Sequence, residues 1–318
     1  MHEVEQMLYV GEKPWHGLGT MLENSPSVEE AIRLGGLDWK VMLQPLHAVV
    51  EGQDIRTDHR ATIRSTDLKV LGVVGPGYHA VQNSDAFSFF QPVVDSGKVS
   101  IETAGSLREG RRVWMLAKIN GCDADVVSGD QVKGYFLLAN SHDGTITLRL
   151  GFTGQRVVCA NTMAMALAKG GGRMLRIRHT KGAEEAIQEL HTIIDWSQQE
   201  FAASVEKMRS LANKGVTEAT LREYVRKVFK KTVEDKTVAE EEEETKFERL
   251  EAKIIPLFEK GRGNDLPGVK GTMWAAYNAV SEYLTWERGR SPSNRLDSLW
   301  FGEGNKVNAK AFELALAA

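Results

Sequence analysis

Two cysteines in 318 residues, Cys122 and Cys159, can form neither a disulfide framework nor a four-cysteine zinc site. A reducing, intracellular setting follows as the expectation. No apolar run approaches the roughly 18 residues that a membrane helix needs, so no membrane partner is expected. The start, MHEVEQMLYVGEKPWHGLG, lacks a basic stretch followed by an apolar one and predicts no secretory signal. Eight histidines are scattered with no His-x-x-x-His pair, which leaves no metal site to expect. Cys159, in VVCAN, matches no cysteine-hydrolase signature and reads as core packing. Gly170–Gly172 lack the Gly-x-x-x-x-Gly-Lys-Ser/Thr pattern of a phosphate-binding loop and follow a predicted helix instead of opening one. No nucleotide cofactor is therefore expected.

Locally, the chain also lacks acid. Between Gly144 and Lys181 there are seven basic residues and no aspartate or glutamate. Widening to Lys98–Lys181 gives thirteen basic and six acidic residues, 13 − 6 = +7, in a chain of net charge −3. The remainder then carries −3 − 7 = −10. Such a separation of sign either recruits an anionic partner or is neutralised by the chain's own acidic helices.

The fold expected is α+β: an antiparallel sheet with a β-β-β-α element, then a largely helical C-terminal region. Three segments are predicted. Residues 1–38 form an N-terminal arm, punctuated by PWHGLG, and a short helix capped by Ser27 and Glu30. Residues 39–182 form a β-rich basic core. Short β-branched runs (WKVMLQPLHAVV, RATIRST, KVLGVVG, YHAVQ, RRVWMLAKI) read as strands, and NSDAFSFFQPVVDSG as a capped helix. GYFLLANSHDGTITLRLGF reads as a hairpin turning at Asp143–Gly144, and RVVCANTMAMALAKGGG as a helix that Gly170 ends. Residues 183–318 are helical, with a glutamate run at Glu240–Glu244.

The candidate site residues lie in the acid-free segment. Arg149, Arg156, Lys169, Arg173, Arg176, Arg178 and Lys181 form a potential phosphate track. Gly170, Gly171 and Gly172 allow a polyanion to approach the backbone, because no Cβ stands in the way. Phe152 and Tyr135, with Trp114 nearby in sequence, are aromatics of the kind on which single-stranded bases stack. No catalytic constellation emerges. His142, Asp143, Asn161 and His179 are the polar residues that an enzyme acting on nucleic acid would use.

PWHGLG, YHAVQNSDAFSFF, SHDGT, GFTGQRVVCANTMAMAL and GTMWAAYNAVSEYLTW…SLWFGEGNKVNAKA occur in this order along nearly the whole chain. Together they resemble the phage/plasmid-like proteins that carry domain of unknown function nine-thirty-two. That resemblance implies a gene carried by phages, plasmids or integrated elements, acting in the bacterial cytoplasm, and carries over no site residue. The β-β-β-α order with a basic groove is similar in layout to the core of Rad fifty-two-like single-strand annealing proteins, which form rings or filaments and anneal strands without metal or nucleotide hydrolysis. The expected function is single-stranded DNA binding and annealing in recombination by a homo-oligomer. A protein-binding, host-interference scaffold and an enzyme on nucleic acid are the alternatives.

Overall fold

The computed structural model describes residues 4–11, 19–156, 161–163, 175–176, 183–233, 240–289 and 292–318. The protein is an α+β protein whose sheets are antiparallel except for one edge pair, with a helical C-terminal region. It divides into two units. The first holds Met1–Asn120, Tyr135–Phe152 and Met174–Trp196; the second holds Gly121–Gly134, Thr153–Arg173 and Ser197–Ala318.

In chain order the elements are β1 (Val4–Val10), β2 (Thr20–Leu22), α1 (Val28–Leu34), β3 (Val41–Val50), β4 (Gln53–Arg64), β5 (Val70–Val74), α2 (Asn83–Phe87), α3 (Gln91–Asp95), β6 (Val99–Leu107), β7 (Arg112–Asp125), β8 (Gln131–Ser141), β9 (Arg149–Arg156), β10 (Asn161–Met163) and β11 (Leu175–Arg176). The helices α4 (Ala183–Ala212), α5 (Glu218–Val233), α6 (Glu240–Lys260), α7 (Met273–Glu282), α8 (Pro292–Phe301) and α9 (Glu303–Ala317) follow. One sheet runs β10-β9-β8-β7-β6-β1-β2, with β11 also pairing β9; a second runs β3-β4-β5.

Several segments differ from expectation. The first 26 residues, expected as an arm, supply β1 and β2 to the large sheet. In β1, Met7, Leu8 and Tyr9 are all buried, so a strand covered on both faces loses the alternation that would announce it. Within the helix expected over RVVCANTMAMALAKGGG, Asn161–Met163 form β10, paired with Gly154–Arg156 of β9. A strand-edge ladder prevails there over apolar residues at helical spacing. YHAVQ, expected as a strand, is an irregular connection before α2.

Elsewhere local chemistry decides. Ser27 Oγ accepts from Glu30 N at 3.2 Å while Glu30 Oε2 accepts from Ser27 N at 3.0 Å, a complete capping box on α1. The β3–β4 turn uses Glu51 and Gly52 at φ 50° and 80°, the positive-φ pair of a tight hairpin. In the second unit α7 is buried all round. Trp274 Nε1 donates to the buried Asp130 at 2.7 Å, and Tyr224 of α5 donates to Ala311 O of α9 at 2.9 Å. Glu251 of α6, almost fully buried, accepts from both Arg222 and Arg226 of α5.

Candidate nucleic-acid interface

β9 carries two of the described candidates, Arg149 and Phe152. β11 pairs with it antiparallel, and the register sets Arg176 directly opposite Arg149 and Leu175 opposite Leu150. Two arginine positions thus face one another across a ladder, an arrangement that costs stability unless an anion lies nearby. Arg149 is half-buried, and its Nε has no hydrogen-bond partner among the described residues. Phe152 is half-buried and meets Phe136 edge-on, with centroids 6.2 Å apart. Tyr135 is 3% exposed and Trp114 1% exposed. Neither presents an open ring face as the chain stands, so base stacking rests on Phe152.

Arg156 ends β9 opposite Asn161. Lys169, Gly170, Gly171, Gly172, Arg173, Arg178 and Lys181 lie outside the described residues, as does His179. The structure therefore brings together Arg149 and Arg176, with Phe152 three residues along the same strand.

The turn that feeds β9 is held by a buried polar cluster from the first unit. His142 is fully buried. Asn83 Nδ2 donates to Leu37 O at 2.9 Å, which orients the amide so that its Oδ1 accepts from His142 Nε2 at 2.9 Å. The proton therefore sits on Nε2, and the lone pair of Nδ1 has no partner among the described residues. Burial drives the imidazole pKa down to about 4, so the ring is neutral at pH 7. Thr62 Oγ1 donates to His142 O at 2.7 Å, and Tyr78 Oη donates to Ser141 O at 3.1 Å. Burial pushes the Tyr78 phenol up to about 12. Trp39 meets the imidazole edge-on at 5.1 Å, and Arg64, clamped by Glu5 and Asp67, lies over the Trp39 ring at 5.7 Å.

At the rim of this cluster Asp143 Oδ1 accepts from Thr145 N and Oγ1, at 3.0 and 2.6 Å, and Arg112 Nη2 reaches Thr145 Oγ1 at 3.2 Å. His142 points into the core while Asp143 serves its own turn, so these two adjacent residues do not form an acid–base pair. Among the described residues no group of three or more His, Cys, Asp or Glu could hold a metal ion.

Asn83, Thr62 and Tyr78 carry this cluster, and sequence reasoning did not find them. Asn83 reads as a helix cap, but the cap position belongs to Gln82, whose side chain bonds Val41 N and O instead. The available signal was the pair of polar words YHAVQNSDAF and SHDGT, whose contact is visible only in three dimensions.

A family model described as "Domain of unknown function (DUF932)" matches residues 70–300, a range that contains Tyr78, Asn83, the Ser141–Thr145 turn and β9. The chain belongs to the DUF932 family. Neither a curated protein nor a solved structure matches it. Among the described residues of this DUF932 protein, no helix is long and apolar enough to cross a membrane.

Proposed function

We propose that the protein binds single-stranded DNA along β9 and β11 and the basic segment that joins them, and that it anneals complementary strands. The observation that carries this reading is the register of Arg149 opposite Arg176. Two cationic positions at one rung repel each other, and a phosphate backbone running past them would offset that cost. The absence of any acid between Gly144 and Lys181 extends the same field along the chain. Phe152, half open three residues along β9 and hence on its other face, supplies a ring for base stacking.

On this reading the protein acts as a homo-oligomer in the bacterial cytoplasm, from a gene carried by a phage or other mobile element, and anneals without a cofactor. Its candidate contacts are Arg149, Arg156, Lys169, Arg173, Arg176, Arg178 and Lys181 for phosphates, Gly170–Gly172 for close approach, and Phe152 for a base. The test is a salt-titrated binding assay with single-stranded and duplex DNA, run with and without chelator. Sequence-independent, salt-sensitive, chelator-insensitive binding of single strands supports the reading. Equal failure to bind either form at low salt removes it.

A further inference from the structure

In the second unit α7 does not end regularly. It runs on into one π-helical turn, Tyr283–Glu287, which Arg288 N closes by donating to Tyr283 O, five residues back, at 2.8 Å. Widened turns of this kind recur at functional sites. Arg288 then leaves the helix in an extended conformation, at φ −69° and ψ 129°. Its side chain is half-buried, and Nη1 is shielded from solvent with no hydrogen-bond partner among the described residues. A guanidinium nitrogen so placed costs stability until an acceptor reaches it. The Tyr283 hydroxyl is a second such donor. Its ring is 7% exposed, under Lys253 Nζ at 5.8 Å, and the hydroxyl makes no hydrogen bond among the described residues. Burial raises the phenol pKa, Arg288 opposes that rise, and Glu287 adds to it. The Arg288 guanidinium and the exposed Glu287 carboxylate are therefore both within electrostatic reach of the hydroxyl. The helix α8 packs against the turn and brings Arg295 up to it. A Cβ on Gly289 would stand 3.7 Å from Arg295 Cγ, and burial lowers the pKa of that guanidinium. Arg262 lies over the Trp286 ring at 3.8 Å. Lys253, Arg262, Arg288 and Arg295 thus border the turn. The carboxylates nearest in sequence are Glu287, in water, and Glu282, buried and accepting from Arg262 N at 3.1 Å.

We infer that Tyr283 and Arg288, with Arg295 beside them, form a receptor for a phosphate-type oxyanion. The donors select that class. A planar fork and a single hydroxyl converge on an acceptor with several oxygens, and charge-assisted bonds from a guanidinium suit phosphate geometry. Two arginines against one solvated carboxylate accommodate a doubly charged ion, and the same arginines repel a metal cation. The ion would offset the cost of the buried Nη1 and supply the Tyr283 hydroxyl with an acceptor. Glu287 is the one group of the turn that works against it, which gives the site a variant expected to bind more tightly. The receptor lies wholly within the second unit and holds whether or not β9 and β11 bind DNA.

The test is titration calorimetry and thermal unfolding of the full chain with rising inorganic phosphate, at an ionic strength held constant with sodium chloride. A nucleoside monophosphate is titrated in parallel, and the tighter of the two tells a free ion from an ester. The parent should bind a single ion and melt higher as phosphate rises. Arg288→Gln should bind phosphate at least about tenfold more weakly, since a charge-assisted bond is lost. Tyr283→Phe should weaken binding about fivefold and melt like the parent without phosphate, because the hydroxyl has no bond to lose. Glu287→Gln should tighten binding about twofold by removing a like charge, and it keeps the test decisive where Arg288→Gln melts early. A parent whose melting temperature ignores phosphate, an Arg288→Gln chain that binds it like the parent, or a Glu287→Gln chain that binds no more tightly would each overturn the inference. So would phosphate binding that Arg149→Glu with Arg176→Glu abolishes and Arg288→Gln leaves intact.

Discussion

Asn83 and His142 lie 59 residues apart in sequence, and the amide oxygen of one takes the only proton of the other's neutral ring at 2.9 Å. This bond ties the start of α2 to the turn before β9, and so fixes where β9 begins. Because the ring is fully buried and its Nδ1 has no partner among the described residues, protonation would place there a charge that burial opposes and the Asp143 carboxylate offsets only in part.

A pH dependence follows. Burial holds the folded imidazole at about 4 against the ordinary 6.5, so the unfolded chain takes up a proton first as pH falls. The stability due to the neutral ring is complete above about pH 6.5 and drains away towards pH 4, by about 3 kcal/mol at roughly 1.36 kcal/mol per unit. Denaturant melts at pH 7 and pH 4.5 check this against His142→Gln, which keeps a donor for Asn83 but does not titrate. The parent should lose about 2–3 kcal/mol more than the variant between those pH values. Parallel losses would contradict the assignment.

Gly72 sets a packing limit on the same cluster. A Cβ at this position would stand 2.6 Å from Asp143 Cα, a backbone atom with little room to give. Gly72→Ala should cost about 1–3 kcal/mol in a chemical melt, as overpacking generally does. Gly75→Ala, where nothing lies within 4 Å, should stay close to the parent.

Arg64 supports the floor of the cluster, its side chain 8% exposed between Glu5 and Asp67. Arg64→Lys keeps the charge but loses the planar fork and its place over Trp39. A loss of about 1–3 kcal/mol is expected, with the lower end favoured because both carboxylates remain partly in water. Denaturant unfolding of parent and variant, followed by circular dichroism, checks it.

In the second unit Glu251 is the buried carboxylate that joins α5 to α6 through Arg222 and Arg226. Glu251→Ala removes that shared carboxylate but leaves the partly exposed Arg222 and Arg226 their other partners, Glu218 and Glu244, so a loss of about 1–2 kcal/mol is expected in equilibrium unfolding. An unchanged midpoint would mean that the two arginines find water as readily as they find the carboxylate.

Much of this was legible in the sequence where a local rule governs. Ser27 and Glu30 announce their capping box, the β-branched runs announce β3, β4, β5 and β7, and the long amphipathic patterns announce α4 and α5. β1 was not legible, because burial of consecutive residues erases its alternation. β6 was missed because Ala104–Leu107 are all buried and hide the alternation of Val99–Ile101. Asn161–Met163 carry a helical spacing that pairing with β9 overrides. For the site, residue type revealed the basic segment but not the register that sets Arg149 opposite Arg176. The Asn83–His142 bond lay beyond any local signal, since each residue has an adequate local explanation as a cap or a turn.

The most direct test of the central claim is the salt dependence of single-stranded DNA binding by the parent and by Arg149→Glu with Arg176→Glu. If all seven basic residues between Gly144 and Lys181 meet phosphates, at about 0.7 counterion each, the slope of log affinity against log salt approaches −5. Affinity should then fall about a thousandfold between 50 and 200 mM salt. The double variant should flatten that slope by about 1.4 and bind more weakly at every salt concentration, with an unchanged melting temperature. A parental affinity that ignores salt, or a double variant that binds like the parent, would contradict the account.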